Sequence, residues 1–268
     1  MRAIDISEHF LSQAHWVDPV RSVDGVIVGR PDKEVKTILV TWISSVKVLN
    51  EAVTRGFDAV MTHEPTFYDH AHEREVMDHW EISRVKKRLV EENDLVVIRN
   101  HDCWDKWPRI GIPWAWGQYL GLGEEPAVVS ANGEQLRYDI EPVTLDSLAA
   151  RVAAKTALMG EPFVQVAGDG ERSVSKVGIG TGCGCRIDLY REMGCDVSIV
   201  CDDGTCWWGE LQRAVDMDMP VIRVNHGSSE DPGMVTLTEY INENLYGVTA
   251  VHRPHQGYYR LIPGRYVG

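Results

Sequence analysis

The chain has 268 residues, 44% hydrophobic and 25% charged, an ordinary soluble composition with enough apolar material for one large core or two smaller ones. Its formal net charge of -13 is spread along the sequence without a block of like charges, which weighs against a charged tail and against nonspecific nucleic-acid binding. No apolar run approaches the length of a membrane span, and the polar start MRAIDISEHFLSQAHW lacks the apolar region of a signal peptide, so the expected location is cytoplasmic.

In chain order, TILVTW (37–42) reads as a β-branched strand, and Val46, Leu49, Ala52 and Val53 then recur at helical spacing up to a stop at Gly56. DAVMT (58–62) is a second strand, Ile82, Val85, Leu89 and Val90 mark a helix closed by Asn93, and LVVI (95–98) is a third strand. This rhythm predicts α/β layers with a largely buried sheet. Residues 123–142 change texture, with two prolines and Asn132-Gly133, and read as a hairpin or linker. A helix over about 145–159 follows, then strand 177–179, helix 187–193, strand 197–201, helix 209–218 and strand 221–224. The tail predicts a helix near 235–246 and a last strand near 258–262 returning to the first sheet. These elements place one domain over 1–124 plus 222–268 and a second over 125–221.

Three strands run into similar residues: His63-Glu64-Pro65 after the second, His101 through Asp105 after the third, and Asn225-His226 with Glu230 after strand 221–224. Ligands of open α/β sheets collect outside the carboxyl ends of strands, so three such ends could converge on one pocket. Neutral imidazole and carboxylate suit Zn, Mn or Fe, and Pro65 biases Glu64 toward an extended backbone. Two pairs stand four apart, His101/Asp105 and His226/Glu230, a spacing that shares one helix face. Against this stands the ordinary role of histidine in cores and on surfaces, with 10 in this chain.

The segments GFDAVMTHEPTFY (56–68), His-Asp-Cys-Trp-Asp (101–105), GQYLGL (117–122) and Asn-His-Gly-Ser-Ser-Glu (225–230), with the opening DGVIVGRPDKEVKTILV, resemble in order and separation the dinuclear-metal family named after NGG-one-interacting factor three. Its members are also called GTP cyclohydrolase type two homologs. The resemblance implies two α/β lobes with central mixed sheets flanked by helices and a dinuclear metal site between them. It implies two divalent ions (Zn, Mn or Fe) held by His63, Glu64, Asp105, His226 and Glu230, with His101 close by, and a homo-oligomeric, hexameric ring. Glu64 stands where the family usually has His, making the site harder and more anionic, and the run Trp104, Trp107, Trp114 and Trp116 is unusual for it.

The leading expectation is a metal-dependent hydrolase of a phosphoester or nucleotide-like small molecule, with His101 or a tail histidine (His252, His255) moving protons. The alternative is a non-catalytic metal-binding scaffold or interaction protein. A third reading takes Gly178 to Gly184 as a nucleotide loop, with a tight structural turn as the plainer expectation. His70, His72 and His79 read as a solvated face. The 6 cysteines, Cys103, Cys183, Cys185, Cys195, Cys201 and Cys206, read as small reduced thiols. Trp207-Trp208 reads as packing or, if exposed, an interface.

Overall fold

A computed structural model describes residues 1–262 and 264, and these fall into two compact units. The first contains residues 1–118, 131–134 and 230–255, and the second takes the remaining described residues.

Up to residue 119 the elements are α1 (Ala3–Gln13), β1 (Gly25–Val28), β2 (Thr37–Ile43), α2 (Val46–Thr54), β3 (Ala59–Glu64), α3 (Glu73–Val76), α4 (Glu81–Glu92), β4 (Val96–Arg99), α5 (Asp102–Asp105) and α6 (Ile112–Tyr119). Next come β5 (Val128–Val129), β6 (Leu136–Thr144), α7 (Leu145–Ala157), β7 (Gln165–Ala167), β8 (Ser173–Ile179), α8 (Ile187–Glu192), β9 (Val197–Cys201), α9 (Gln212–Asp216) and β10 (Val221–Val224). The chain then forms α10 (His226–Asn244) and β11 (Thr249–His252).

The first unit's sheet has the order β1-β4-β3-β2-β11. Strands β11, β2, β3 and β4 are mutually parallel, and β1 is an antiparallel edge. Successive residues of a strand point to opposite faces, and here both faces are buried. Ile38, Val40, Ala59, Met61, Val96 and Ile98 pack with Phe10 of α1 and Met234 and Leu237 of α10. The residues between them, Leu39, Val60 and Val97, pack with Val48 and Leu49 of α2 and Val90 of α4. Two covered faces explain why these strands read as apolar runs rather than alternations. Ser45 starts α2 by accepting from the Val48 N–H, and Gly56 ends it with φ of +70°, which a side chain would strain.

The second unit's sheet is mixed, in the order β5-β6-β8-β9-β10-β7, with β8, β9 and β10 parallel. The segment over 123–142 supplies the β5–β6 hairpin. Residues 207–211 form a π-turn where a helix from 209 was expected, and α9 continues from it.

Two tail expectations differ from the structure. The last helix begins at His226 rather than near 235 and carries Pro232 inside it. Ser-Ser-Glu-Asp-Pro-Gly reads as a turn by composition, but Ser228, Ser229, Glu230 and Asp231 are buried, and tertiary contacts outweigh that local preference. The last strand is Thr249–His252, paired parallel with β2, while residues 256–262 have no regular structure. Among the described residues no helix is long and apolar enough to cross a membrane.

One buried charge in α4 has a measurable consequence. Lys86 is 1% exposed, donates from Nζ to the Thr66 carbonyl at 2.7 Å, and lies 4.2 Å over the Tyr68 ring. Burial lowers its pKa from 10.5 to about 8, against the raising field of Glu73. Between those two values the unfolded chain holds a proton that the folded chain has released, so stability from this residue rises with pH across that window. Urea unfolding at about pH 7.5 and about pH 10 should show the native protein gaining stability relative to Lys86→Met, which lacks this group. Parallel behaviour of the two proteins would contradict the assignment.

Candidate metal centre

Strand parity aims the first donors. Trp42 and His63 share the parity of Val40 and Met61, so both face the α10 side of the sheet. The His63 ring is fully buried, and its Nδ1 lies 3.2 Å from the Asn100 carbonyl. A carbonyl only accepts, so Nδ1 carries a proton and Nε2 is the ring nitrogen turned toward the carboxylates. That Nε2 has no hydrogen-bond partner, yet it stands 3.4 Å from Asp105 Oδ1 and 3.4 Å from Glu230 Oε2. Two carboxylate oxygens about one buried ring nitrogen call for positive charge among them, a proton or a bound cation. The donor set therefore fits a cation, in the arrangement of metal-bound histidine whose second nitrogen donates to a carbonyl.

Each carboxylate is held from behind. Glu230, on the second turn of α10, accepts from the Trp42 indole at 2.8 Å through the oxygen that faces His63. Asp105 ends the short α5, whose start is gripped by Asp24: the N–H groups of His101, Asp102 and Cys103 donate to it at 2.6, 3.2 and 2.9 Å. Asp102 accepts instead from the Ser22 hydroxyl and the Val23 N–H, at 2.9 and 3.1 Å. Asp105 is 26% exposed against 4% for Glu230, so the described part of the cluster opens on the Asp105 side.

His101 stacks on His63 at 4.3 Å, with Nδ1 3.1 Å from Asp102 and 3.2 Å from Asp105. Burial works to lower its pKa, but Asp105, the Asp102 hydrogen bond and Glu64 outweigh that and push it up to about 9. Positive charge, whether proton or metal, is what this cluster attracts. Donor atoms of His63, Glu64 and His101 lie within 4.8 Å of one another, as do those of His70, His101 and Asp102.

The structure thus brings together His63, Glu64, His101, Asp105 and Glu230. His226 is the first residue of α10, one turn ahead of Glu230, with its N–H donating to Asp202 at 2.8 Å and its Nδ1 3.3 Å from Asp203. His252 Nε2 and the His255 N–H both meet Asp231, at 3.0 and 2.8 Å, and the His255 ring packs edge-on to Trp42. The space in front of Gly178 and Gly180 is filled by Tyr190, 2.7 and 2.4 Å from where a Cβ would stand, so close packing is what those glycines serve. All 6 cysteines are free thiols.

The sequence profile of the Duf34/NIF3 (NGG1p interacting factor 3) family matches residues 7–253. The chain belongs to this family. A search of curated proteins finds no match. Among solved structures, a hypothetical protein of Staphylococcus aureus, SA1388, is similar with a TM-score of 0.77 at 16% identity over 94% of this chain and 96% of its own. Reduced HcgD from Methanocaldococcus jannaschii has a TM-score of 0.73 at 20% identity over 94% and 97%. A Bacillus cereus protein related to NIF3 has 0.75 at 14% over 100% and 99%. At these identities the likeness establishes the NIF3 fold.

Reading the sequence for strand-end motifs missed three supports of this cluster. Asp24 and Trp42 carry no motif. Arg99, closing β4, is fully buried. Its Nε donates to the His63 carbonyl at 3.0 Å, and its Nη1 to the His70 carbonyl at 2.8 Å and to Glu73 at 3.0 Å. His70 is exposed, as expected, but its Nδ1 lies 3.0 Å from Arg99 Nη2 and its ring 4.7 Å from His101, so it forms part of the rim.

Trp42→Phe keeps the aromatic packing and removes the donor that aims Glu230. Divalent-metal affinity, read by competition with a fluorescent chelator, should fall by about 10- to 100-fold. An unchanged affinity would separate Glu230 from cation binding.

Proposed function

We propose that His63, Glu64, Asp105, His226 and Glu230 hold two divalent cations, and that the protein is a metal-dependent hydrolase of small phosphoesters. The observation that carries this reading is His63 Nε2, buried, without a hydrogen bond, and set 3.4 Å from a carboxylate oxygen of both Asp105 and Glu230. His226 enters through its place one helical turn before Glu230 on α10. Mixed imidazole and carboxylate donors suit Zn, Mn or Fe, and three carboxylates would offset most of the charge of two such ions. When bound, such ions polarise a phosphoryl oxygen and lower the pKa of water.

The chain's own residues have distinct tasks in this reading. Asp105, the more open carboxylate, borders the approach of substrate, while His63 and Glu230 are too deeply buried to meet it. His101 holds a proton at Nδ1 between Asp102 and Asp105 and gives it to a leaving oxygen or takes one from water. Asp102, fixed by Ser22 and Val23, keeps that ring in place.

The test is reconstitution of the full chain with Zn, Mn or Fe, followed by metal analysis and a screen against phosphoesters. The expected result is about two metals per chain with metal-dependent turnover. Asp105→Ala should lose both metal and turnover, whereas His101→Asn should keep metal and lose about 10²- to 10⁴-fold in rate. Metal bound at full stoichiometry with no turnover on any phosphoester would favour a non-catalytic metal-binding scaffold.

A further inference from the structure

The centre's open side has a shape of its own. Beside Asp105 lies a cavity of about 190 Å³ whose walls include Trp16, Arg21, Ser22, Asp102 and Lys106. Trp16 is 36% exposed and packs edge-on to Trp107, with ring centres 5.8 Å apart at 88°. Trp107 in turn contacts Phe10, Trp104 and Tyr240, so Trp16 is the outermost ring of an aromatic cluster. A side chain supported this way presents its free surface at little entropic cost.

The wall is acidic in balance. Asp18, Asp102, Asp105 and Glu134 face Arg21 and Lys106, and Lys106 is already paired with Glu134 at 2.9 Å. An anionic body is therefore disfavoured away from the cations, while a neutral ring is not. The volume decides its size, since a cavity of about 150 Å³ accommodates one benzene ring.

Resting on the phosphoester reading above, we propose that Trp16 is a specificity residue. It stacks against a single neutral aromatic ring of the substrate while the phosphoryl group lies at the Asp105 end of the cavity. The preferred substrates are then aryl, rather than alkyl, phosphoesters.

The experiment uses the full chain loaded with Mn²⁺ and two non-hydrolysable probes, phenylphosphonate and methylphosphonate. Binding is read by water-proton relaxation at the metal and by tryptophan fluorescence. Phenylphosphonate should bind about tenfold more tightly than methylphosphonate, Trp16→Ala should bring that ratio close to one, and Trp16→Phe should restore most of it. Far-ultraviolet circular dichroism and metal content identify any variant that has not folded, and the two probes on the native chain test the preference without a variant. Methylphosphonate binding with no preference for the phenyl probe, or a preference that survives Trp16→Ala, overturns the role of Trp16 and leaves the phosphoester reading intact. If the metal-loaded chain binds neither probe, the phosphoester reading fails and the specificity role with it.

Discussion

The arrangement of the centre follows from one hydrogen bond, between His63 Nδ1 and the carbonyl of Asn100. Holding one nitrogen of an imidazole as a donor to a fixed carbonyl also fixes where the other nitrogen points. Here the other ring nitrogen is held between carboxylates from α5 and α10. Every other support acts on the same geometry. Trp42 holds the Glu230 oxygen nearest His63, Asp24 holds the start of α5, and Arg99 holds the His63 carbonyl itself. Without a positive charge at its focus this arrangement concentrates repulsion in a low-dielectric place, which the fold tolerates only if charge of the opposite sign arrives there.

The buried Arg99 shows how much of this is structural expense. Its guanidinium is removed from water and answered by Glu73, whose carboxyl is pushed up by burial despite that partner. The pair, with Lys86 on the Thr66 carbonyl, ties the segment after β3 to β4 and α4. A hydrophobic cluster could have closed the same space at lower desolvation cost, but it could not have gripped the carbonyls of both His63 and His70. The charges therefore fix where the backbone of the site runs rather than adding stability.

Much of the layering is legible in the sequence because both faces of the first sheet are buried. The runs at 37–42, 58–62 and 95–98 become β2, β3 and β4 with boundaries moved by one or two residues. The strand-end motifs were visible because each follows closely on an apolar run. The supports were not visible, since Asp24 caps a helix nearly 80 residues away and Trp42 reaches a carboxylate 188 residues away. Such pairings depend on tertiary distance, which leaves no local period or spacing to read. The start of α10 was hidden for a related reason: Pro232 and Gly233 signal a break that packing overrides, with Gly233 so close to Ile112 that a Cβ would lie 2.5 Å from its side chain.

Burial grades across the centre in a way that separates holding from choosing. His63 is fully buried, Glu230 nearly so, His101 partly so, and Asp105 a quarter exposed. Deep donors backed by carbonyl, indole and guanidinium have no freedom to adapt to a ligand, and a change in any of them disturbs the geometry of all. The open side is built differently, from the segment between α1 and β1 and from Glu134 in the β5–β6 turn. The side chains there that wall the approach, Trp16, Arg21 and Glu134, are at least partly exposed, so substituting them alters what meets Asp105 at smaller cost to the fold than changing Asp24 in the same segment. On the proposed phosphoester reading, the strand-end donors therefore carry the chemistry, and residues such as Trp16 and Arg21 that wall the approach choose what reaches it.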